Sequence, residues 1–232
     1  MTVGVLKYPG GHGDTELKQV LRQHLMKDVQ EVWYKEKSLE GVEILFIGGG
    51  IPCYKQNKGK ICIENSSVIN ILPEYSAQGK TIVGVGNGFQ LLCQIGLLPG
   101  YLDNNSNEKF ICKQVFIKAE NRSNHLTSGL RKDEVLKLPI ATEYGRYSAK
   151  EDVLVDMRRD GQIVFRFCDN QGRISESINY TGSIDNIAAV CNTSKNVFGI
   201  IPQPERAVTE FRNNSDGKTI LGSFLDQLTR KN

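Results

Sequence analysis

Two glycine-rich segments follow short apolar runs in the first half of the chain, and both are suited to chemistry. Gly48–Gly50 follows Ile44–Ile47, and Gly84–Gly88 (GVGNG) closes a run that starts at Thr81. The second segment has the strand, tight turn and helix order of a nucleophile elbow, G-x-Nuc-x-G, which lifts the central side chain to a helix N-terminus. Backbone N–H groups there stabilise a thiolate or an oxyanion. The central residue is Gly86, which has no side chain and cannot attack a substrate.

A second candidate group lies near the end of the chain, in the segment Ile201–Ala207 (IPQPERA). The two prolines fix the backbone on either side of Gln203 and so aim its side chain. Glu205 follows two residues later and is expected to pair with the Gln203 amide, which can still donate a hydrogen bond. A histidine between the prolines would form a general base with its orienting acid. Glutamine has no useful basicity, so this segment also lacks its reactive group.

The first half of the chain contains the strands and helices that must position these segments. Apolar runs and helical spacing of apolar residues alternate there, which predicts a doubly wound, mostly parallel sheet with helices on both faces. Ligands of such sheets gather at the carboxyl ends of the strands. The predicted strands are Thr2–Tyr8, Val29–Tyr34, Ile44–Ile47 and Thr81–Val85. The predicted helices run from an Asp14 N-cap through Leu25, over about Ser66–Ala77, and from Phe89 through Ile95.

The second half of the chain has a different pattern, in which short strand candidates are separated by turns rich in Asn, Gly and Ser. These candidates predict extra small antiparallel strands, followed by a terminal helix. They are Phe110–Ala119, Glu134–Leu138, Ile163–Cys168, Ile187–Cys191 and Val197–Ile200, with the helix over about Asp216–Leu228. Because no linker or repeat interrupts the pattern, residues 1–232 are predicted to form a single domain.

Composition excludes several classes of protein. The 232 residues carry 29 Lys and Arg against 26 Asp and Glu, and a net charge of +3 is too small to indicate a nucleic-acid partner. No apolar run reaches the roughly 18–20 residues that a membrane helix needs, and the N-terminal segment lacks the features of a secretory leader. The six cysteines contain no C-x-x-C pair and several lie in apolar runs, as reduced core thiols do. These features predict a cytoplasmic protein.

These segments together resemble the PurQ family, the glutaminase subunits of phosphoribosylformylglycinamidine synthase, which are class I, triad-type glutamine amidotransferases. The resemblance spans nearly the whole chain and implies the flavodoxin-like fold of that class. The segments that carry it are Tyr8–Gly10, Val32–Glu36 (VWYKE), Gly84–Leu92 (GVGNGFQLL), Gly96–Gly100 (GLLPG), Lys109–Cys112 (KFIC), Pro139–Tyr147 (PIA and GRY), Ile163–Arg166 (IVFR), Gly182–Asn192 (GSIDNIAAVCN) and Pro204–Ala207 (PERA).

The resemblance also implies a catalytic triad, of which this chain keeps one member. The family's elbow reads G-x-C-N-G-F-Q, and its late motif reads P-H-P-E-R-A; the cysteine attacks the glutamine amide, the histidine is its base, and the glutamate positions the histidine. Here the nucleophile slot is Gly86, the base slot is Gln203, and only Glu205 is retained. The substrate and oxyanion region implied by the resemblance comprises Gly49, Gly50, Asn87 and Gln90.

Two further positions depart from the family, and the resemblance also implies partners. The polar loop after the first glycine segment, G-G-F-S-Y-G-D in the family, continues here as Ile51–Lys55 (IPCYK), and a histidine usual after Pro-Ile-Ala is Thr142. The resemblance assigns no cofactor and no metal to this chain. ATP and Mg²⁺ are expected on a PurL-type synthetase subunit, which receives the ammonia, and a small PurS-type subunit is a further possible partner.

Three functions are compatible with these residues. The leading hypothesis is a PurQ-like subunit in purine synthesis that has lost its glutaminase activity. The first alternative is an active glutaminase with a relocated nucleophile, for which Cys53 with His12 is the candidate pair, because Cys93 is predicted to face the core. The second alternative is a binding protein that senses glutamine or another small metabolite in the vestigial pocket.

Overall fold

The computed structural model describes residues 1–50, 66–208 and 214–229. The strands are β1 (Thr2–Lys7), β2 (Asp28–Trp33), β3 (Ile44–Ile47), β4 (Thr81–Val85), β5 (Tyr101–Asp103), β6 (Ile111–Ala119), β7 (Val135–Thr142), β8 (Arg146–Ser148), β9 (Ile163–Cys168), β10 (Ile187–Cys191) and β11 (Val197–Ile200). The helices are α1 (Gly13–Gln19), which continues as a π-helical segment over Val20–His24, α2 (Ser67–Ala77), α3 (Asn87–Gln94), α4 (Glu151–Arg159) and α5 (Asp216–Thr229). None of the helices in the described ranges is long and apolar enough to span a membrane.

Nine strands form one sheet in the order β2-β1-β3-β4-β11-β10-β9-β6-β7. The first five strands in this order run parallel to one another, and every pair from β11 to β7 is antiparallel. The predicted α/β sheet is therefore confirmed. Antiparallel strands are present in the second half as predicted, and four of them, β10, β9, β6 and β7, extend the main sheet. Only β5 and β8 form a separate two-stranded sheet.

Neighbouring residues of β11 show that helices cover both faces of the sheet. The ring of Phe198 packs edge-on against Phe224 of α5, with 5.6 Å between ring centroids. At the next residue, Gly199, an added Cβ would lie 2.0 Å from a ring carbon of Phe89 on α3. Since successive residues of a strand point to opposite faces, α5 and α3 pack on opposite sides, as the alternating sequence pattern predicts.

The start of α1 differs from the prediction. Asp14 does not cap this helix, because the cap position is His12 and Asp14 lies inside the first turn. The backbone N–H groups of His12 and Gly13 both donate to the carbonyl of Gly49, at 3.1 and 2.8 Å. That carbonyl takes the place of a capping side chain, so none is needed. Asp14 is instead buried, and its Oδ1 has no hydrogen-bond partner within the described residues.

Several elements of the second half were not predicted at their observed extent, among them β5, β8, α4 and β7. α4 was missed, although Leu154 and Met157 lie three residues apart and are buried on one face of an otherwise polar helix. β7 was predicted to end at Leu138, yet it continues through Pro139 to Thr142. A proline interrupts the hydrogen bonds of a central strand but is tolerated at a sheet edge, and β7 is an edge strand of the main sheet.

Close backbone contact fixes α3 against β3. A Cβ added to Gly88 would lie only 2.0 Å from the carbonyl oxygen of Ile47. A Cβ added to Gly84, on the neighbouring strand, would lie 2.6 Å from the carbonyl of Gly88. No side chain fits at either position, so these glycines set the distance between the first turn of α3 and the two strands beneath it.

We therefore expect Gly88→Ala to lower the melting temperature by about 2–12 °C, because overpacking costs roughly 1–3 kcal/mol and each kcal/mol corresponds to about 2–4 °C for a chain of this size. Thermal unfolding followed by circular dichroism measures this change. Gly222→Ala is the matched control: its added Cβ meets nothing closer than 3.4 Å, and alanine favours a helix over glycine. An unchanged melting temperature for Gly88→Ala would contradict the packing argument.

Candidate functional site

The turn between β4 and α3 keeps the geometry of a nucleophile elbow. Gly86 has φ +56 and ψ −113, a backbone conformation that residues with a side chain rarely adopt. Its carbonyl accepts hydrogen bonds from the N–H groups of Phe89 and Gln90, at 3.1 and 3.2 Å, and so begins α3. A non-glycine residue here would be strained by roughly 1–3 kcal/mol. The sharp turn predicted from the G-x-Nuc-x-G spacing is thus present, with glycine at its centre.

The late segment meets this turn because β4 and β11 are neighbours. Val85 and Ile200 are partners in the parallel pair, and the Gly86 N–H donates to the Ile200 carbonyl at 2.9 Å. The chain that leaves β11 therefore passes directly beside the elbow. Gln203 Nε2 lies 3.9 Å from the position that a Cβ on Gly86 would occupy. The structure brings together the two slots that the sequence pattern assigns to nucleophile and base.

Arg206 sets the orientation of the Gln203 amide. Its Nη1 donates to Gln203 Oε1 at 3.0 Å, and its Nε donates to Glu16 Oε2 of α1 at 2.7 Å. Because the amide oxygen faces Arg206, the amide nitrogen faces the space beside Gly86. Among the described residues, Gln203 donates no hydrogen bond to Glu205, because its amide nitrogen faces the space beside Gly86. The expectation that these two side chains pair was therefore wrong.

Glu205 is buried, and the opposing effect of the neighbouring Arg206 is smaller than the cost of that burial. Its side chain is 4% exposed, and Oε2 has no hydrogen-bond partner in the part of the chain that the structure describes. Burial raises the pKa of Glu205 from its ordinary value of 4.5 to about 8, against the smaller opposing effects of its own backbone N–H group and of Arg206. The carboxyl group is therefore mostly protonated at neutral pH. The residue that the resemblance assigns to the acid of a triad is therefore a neutral acid at this pH.

The predicted substrate and oxyanion residues form a connected group beside the elbow. The Gly50 N–H donates to Asn87 Oδ1 at 3.4 Å, and Asn87 Nδ2 donates to Gln90 Oε1 at 3.1 Å. A Cβ on Gly49 would lie 4.0 Å from the Asn87 nitrogen, in ordinary contact. The structure thus places all four residues together, while their roles toward a substrate remain a prediction.

A cavity of about 190 Å³ connects the elbow, the first glycine segment and the late segment. Sequence reasoning did not assign several of its wall residues to the site. Among them are Phe110, which is 61% exposed, Glu143 and Arg206. Only Arg206 carried a usable signal, because it directly follows Glu205 in the late segment. Thr142, where the family usually has histidine, also lines this cavity.

Alternative nucleophiles and metal ligands are few among the described residues. Cys93 is buried, its thiol donates to the Pro99 carbonyl at 3.7 Å, and burial raises its pKa. It faces the core, as predicted. Cys53 and the segment Ile51–Lys55 lie outside the described residues, whereas His12 lines the cavity. Within the described ranges, no three His, Cys, Asp or Glu side chains are grouped so that they could hold a metal ion.

Comparison with known proteins gives concordant matches. The CobB/CobQ-like glutamine amidotransferase domain family matches residues 1–223. Phosphoribosylformylglycinamidine synthase subunit PurQ of Aquifex aeolicus is 37% identical over 225 residues, which is 97% of this chain and 99% of the relative. The PurQ subunit of Methanosarcina mazei is 33% identical, with 99% of both chains covered.

Solved structures agree with these sequence matches. A chain of the structure of PurLQS from Thermotoga maritima superposes with a TM-score of 0.81 at 32% identity, and 98% of each chain is covered. A glutamine amidotransferase from the same organism superposes with a TM-score of 0.63 over 98% of this chain and 97% of its own. At 12% identity, this second likeness shows the shared fold alone.

The raised pKa of Glu205 leads to a prediction about the stability of the folded chain. In the unfolded chain Glu205 ionises above about pH 4.5, whereas in the folded chain it stays protonated up to about pH 8. The free energy of unfolding of the wild type therefore falls, through this group, as the pH rises across that window. Glu205→Gln removes the titration, so we expect its melting temperature relative to wild type to rise by several degrees between pH 5 and pH 8.

Thermal unfolding at a series of pH values measures the effect. Glu40→Gln provides the matched control, because Glu40 is exposed and its replacement removes no buried carboxyl group. If the difference between Glu205→Gln and wild type stays constant from pH 5 to pH 8, Glu205 is ionised in the folded chain and the assignment of a neutral acid is wrong.

Proposed function

This chain belongs to the CobB/CobQ-like glutamine amidotransferase family, and within it to the PurQ subunits of phosphoribosylformylglycinamidine synthase, and we propose that it retains their scaffold and place in the complex while lacking glutaminase activity. One observation carries the proposal. The elbow of the fold is intact, but the residue at its centre is Gly86, and the side chain beside it is the amide of Gln203.

The chemistry of the family needs what these two positions lack. A covalent route through an acyl-enzyme requires a nucleophile atom at the elbow and a base that removes its proton. Gly86 offers no atom to form that bond, and the neutral amide of Gln203 accepts no proton at physiological pH. Glu205, which would orient a histidine, is left facing a group that it cannot activate. The same substitutions leave the turn unstrained, because glycine adopts positive φ without cost.

The intact scaffold supports a role within a complex. The neighbouring solved structure of PurLQS contains a chain of this family, and this chain matches it over 98% of its length. We propose that this chain docks on a PurL-type synthetase subunit, together with a small PurS-type subunit. ATP and Mg²⁺ would bind to the synthetase, which would convert formylglycinamide ribonucleotide to its amidine with free ammonia. This chain would then act as a structural or allosteric subunit.

A glutaminase with a relocated nucleophile is the second candidate. The observation that favours it is the position of His12, which lines the cavity and could serve as a base for a thiol nearby. The candidate thiol is that of Cys53, three residues after Gly50 in the sequence. This candidate makes a prediction opposite to that of the main proposal, so one assay separates the two.

We expect no release of ammonia from glutamine above background, either by the purified chain alone or with its cognate synthetase, formylglycinamide ribonucleotide and ATP. The same mixture should form amidine from added ammonium salt, at a rate that increases when this chain is present. Ammonia release that is abolished by Cys53→Ala would establish the relocated nucleophile and overturn the main proposal. Failure to form any complex with the synthetase would contradict the docking role.

A reconstructed triad tests whether only the reactive groups are missing. In the double variant Gly86→Cys with Gln203→His, the new Cβ would occupy a position that lies 3.9 Å from the present Gln203 Nε2. We expect this variant, in the complex, to release ammonia from glutamine, at some loss of stability from the strained φ at residue 86. Gly86→Ala with Gln203→His serves as the control, because it carries the same strain without a thiol.

A further inference from the structure

A second cavity, of about 650 Å³, lies at the edge of the sheet opposite the elbow. It is lined where β3 and β4 begin, at Ile44 and Thr81, whereas the elbow follows Val85, the last residue of β4. Its volume falls within the range of roughly 300–1,000 Å³ that is typical of sites for small molecules. No residue of the candidate site beside the elbow lines this cavity. A ligand bound in it would therefore occupy a site separate from the elbow.

Three charged residues that line this cavity come from the starts of three neighbouring strands. β3 and β4 pair in a register that sets Glu43 beside Lys80, one residue before each strand. Lys195 precedes β11 by two residues and lies on the other side of Lys80, because β11 is the next strand of the sheet. Neighbouring strands are roughly 4.8 Å apart, so one small molecule can contact all three residues.

Positive charge prevails among the side chains of this cavity. Lys80, Lys195 and His125 line it against a single acid, Glu43. Lys195 Nζ donates to Ser123 Oγ at 2.9 Å, and this neutral partner leaves the charge of the ammonium group uncompensated. Like charges on neighbouring strands repel each other, and an anion between the two lysines would relieve that repulsion. The charges of the cavity therefore favour an anionic ligand.

The end of α2 at this cavity does not oppose an anion as strongly as a helix C-terminus ordinarily does. Such an end carries a partial negative charge on its unpaired carbonyl groups. Here Asn196 Nδ2 donates to the carbonyls of Ser76 and Lys80, at 2.8 and 2.9 Å. Asn196 is buried beneath the helix end. Its amide satisfies acceptors that would otherwise face the ligand.

Glu43 supplies an acceptor in the same cavity. Its Oε2 is buried and has no hydrogen-bond partner within the described residues. The amino group of Met1 lies 3.6 Å from this oxygen, which is within ion-pair distance but too long for a hydrogen bond. A buried acceptor without a hydrogen bond is unfavourable, so this oxygen indicates a ligand that also carries a donor. Acidic side chains accept hydrogen bonds from ribose hydroxyls in this way in nucleotide sites.

We propose that this cavity binds a ribonucleoside 5′-monophosphate, with its phosphate at Lys80 and Lys195 and its ribose 2′-hydroxyl donating to Glu43. Lysine ammonium groups bind phosphate as compact point charges. A simple anion would face the charge of Glu43 and leave its oxygen unpaired, whereas a nucleotide carries both the anion and the donor. Pro73 and Leu228 line the same cavity and offer apolar surface to the base. The inference goes beyond the proposed function, because it needs neither the elbow nor a partner subunit.

Isothermal titration of the full chain with adenosine 5′-monophosphate (AMP) tests the proposal. We expect AMP to bind at least tenfold more tightly than adenosine, which lacks the phosphate. Lys80→Met removes the charge and keeps an unbranched side chain, so it should weaken AMP binding at least tenfold and leave adenosine binding unchanged. Lys132→Met is the matched control, because Lys132 is exposed and does not line the cavity.

The contact with the ribose is tested with 2′-deoxy-AMP. The wild type should bind AMP at least fivefold more tightly than 2′-deoxy-AMP. In Glu43→Ala this preference should disappear, because the acceptor is gone, even where the loss of a negative charge raises the affinity for both nucleotides. Circular dichroism shows whether this variant folds. If it does not, Glu43→Gln should at least halve the preference, because it replaces a charged acceptor by a neutral one.

Several results would overturn the proposal. They are no binding of AMP, equal binding of AMP and adenosine, equal binding of AMP and 2′-deoxy-AMP, or AMP binding that Lys80→Met leaves unchanged. Inorganic phosphate that displaces AMP with equal affinity would show a site for simple anions and exclude a nucleotide site.

A variant beside the elbow locates the bound nucleotide. Gln203→Leu should bind AMP as the wild type does, because Gln203 does not line this cavity. Weaker binding by Gln203→Leu would place AMP in the cavity beside the elbow, and the proposal would be wrong. None of these titrations measures ammonia release or complex formation, so their failure leaves the proposed function unaffected.

Discussion

The contact between the first turn of α3 and the end of β3 determines the geometry of the candidate site. With 2.0 Å between the Ile47 oxygen and the place of a Cβ on Gly88, the two backbones touch without intervening side chains. A similar contact joins the end of β3 to α1, where an added Cβ on Gly48 would lie 2.7 Å from the Gly13 carbonyl carbon. Close packing of this kind allows little adjustment. It holds the elbow, the first glycine segment and the start of α1 at fixed distances whatever side chains they carry.

This rigidity explains how the site keeps its shape without its reactive groups. The strain of an elbow is normally imposed on a residue with a side chain by the packing around it, and here the same packing holds a glycine that adopts the conformation freely. Gln203 in turn is held by Arg206, which Glu16 anchors to α1. The cavity between them is therefore bounded by fixed groups. Loss of reactive side chains on such a scaffold leaves an ordered pocket in place of a collapsed one.

The sequence predicts that the elbow and the late segment meet, but not which polar groups face the cavity between them. Five strands were placed at their observed bounds, and the elbow and Gln203 meet because the strands that precede them are neighbours in the sheet. The orientation of the Gln203 amide, however, depends on a hydrogen bond between Arg206 and a residue 190 positions away. Local patterns contain no information about such a contact. For the same reason the Asp14 cap was wrong, since the carbonyl of Gly49 comes from a distant loop.

Glu205 shows how replacement of one residue alters the chemistry of another that is unchanged. A buried carboxylate beside a histidine gains from the charge of the imidazolium, which offsets the cost of its own burial. The amide of Gln203 carries no such charge, and the effect of Arg206 is smaller than the cost of burial, so that a proton on the carboxyl group reduces this cost. Under the proposed function, Glu205 is therefore a neutral group that can donate, where the triad of the family would have an acceptor that orients a base. An identical residue at a conserved-looking position is therefore not evidence that its former role persists, because that role depends on the charge of its neighbour.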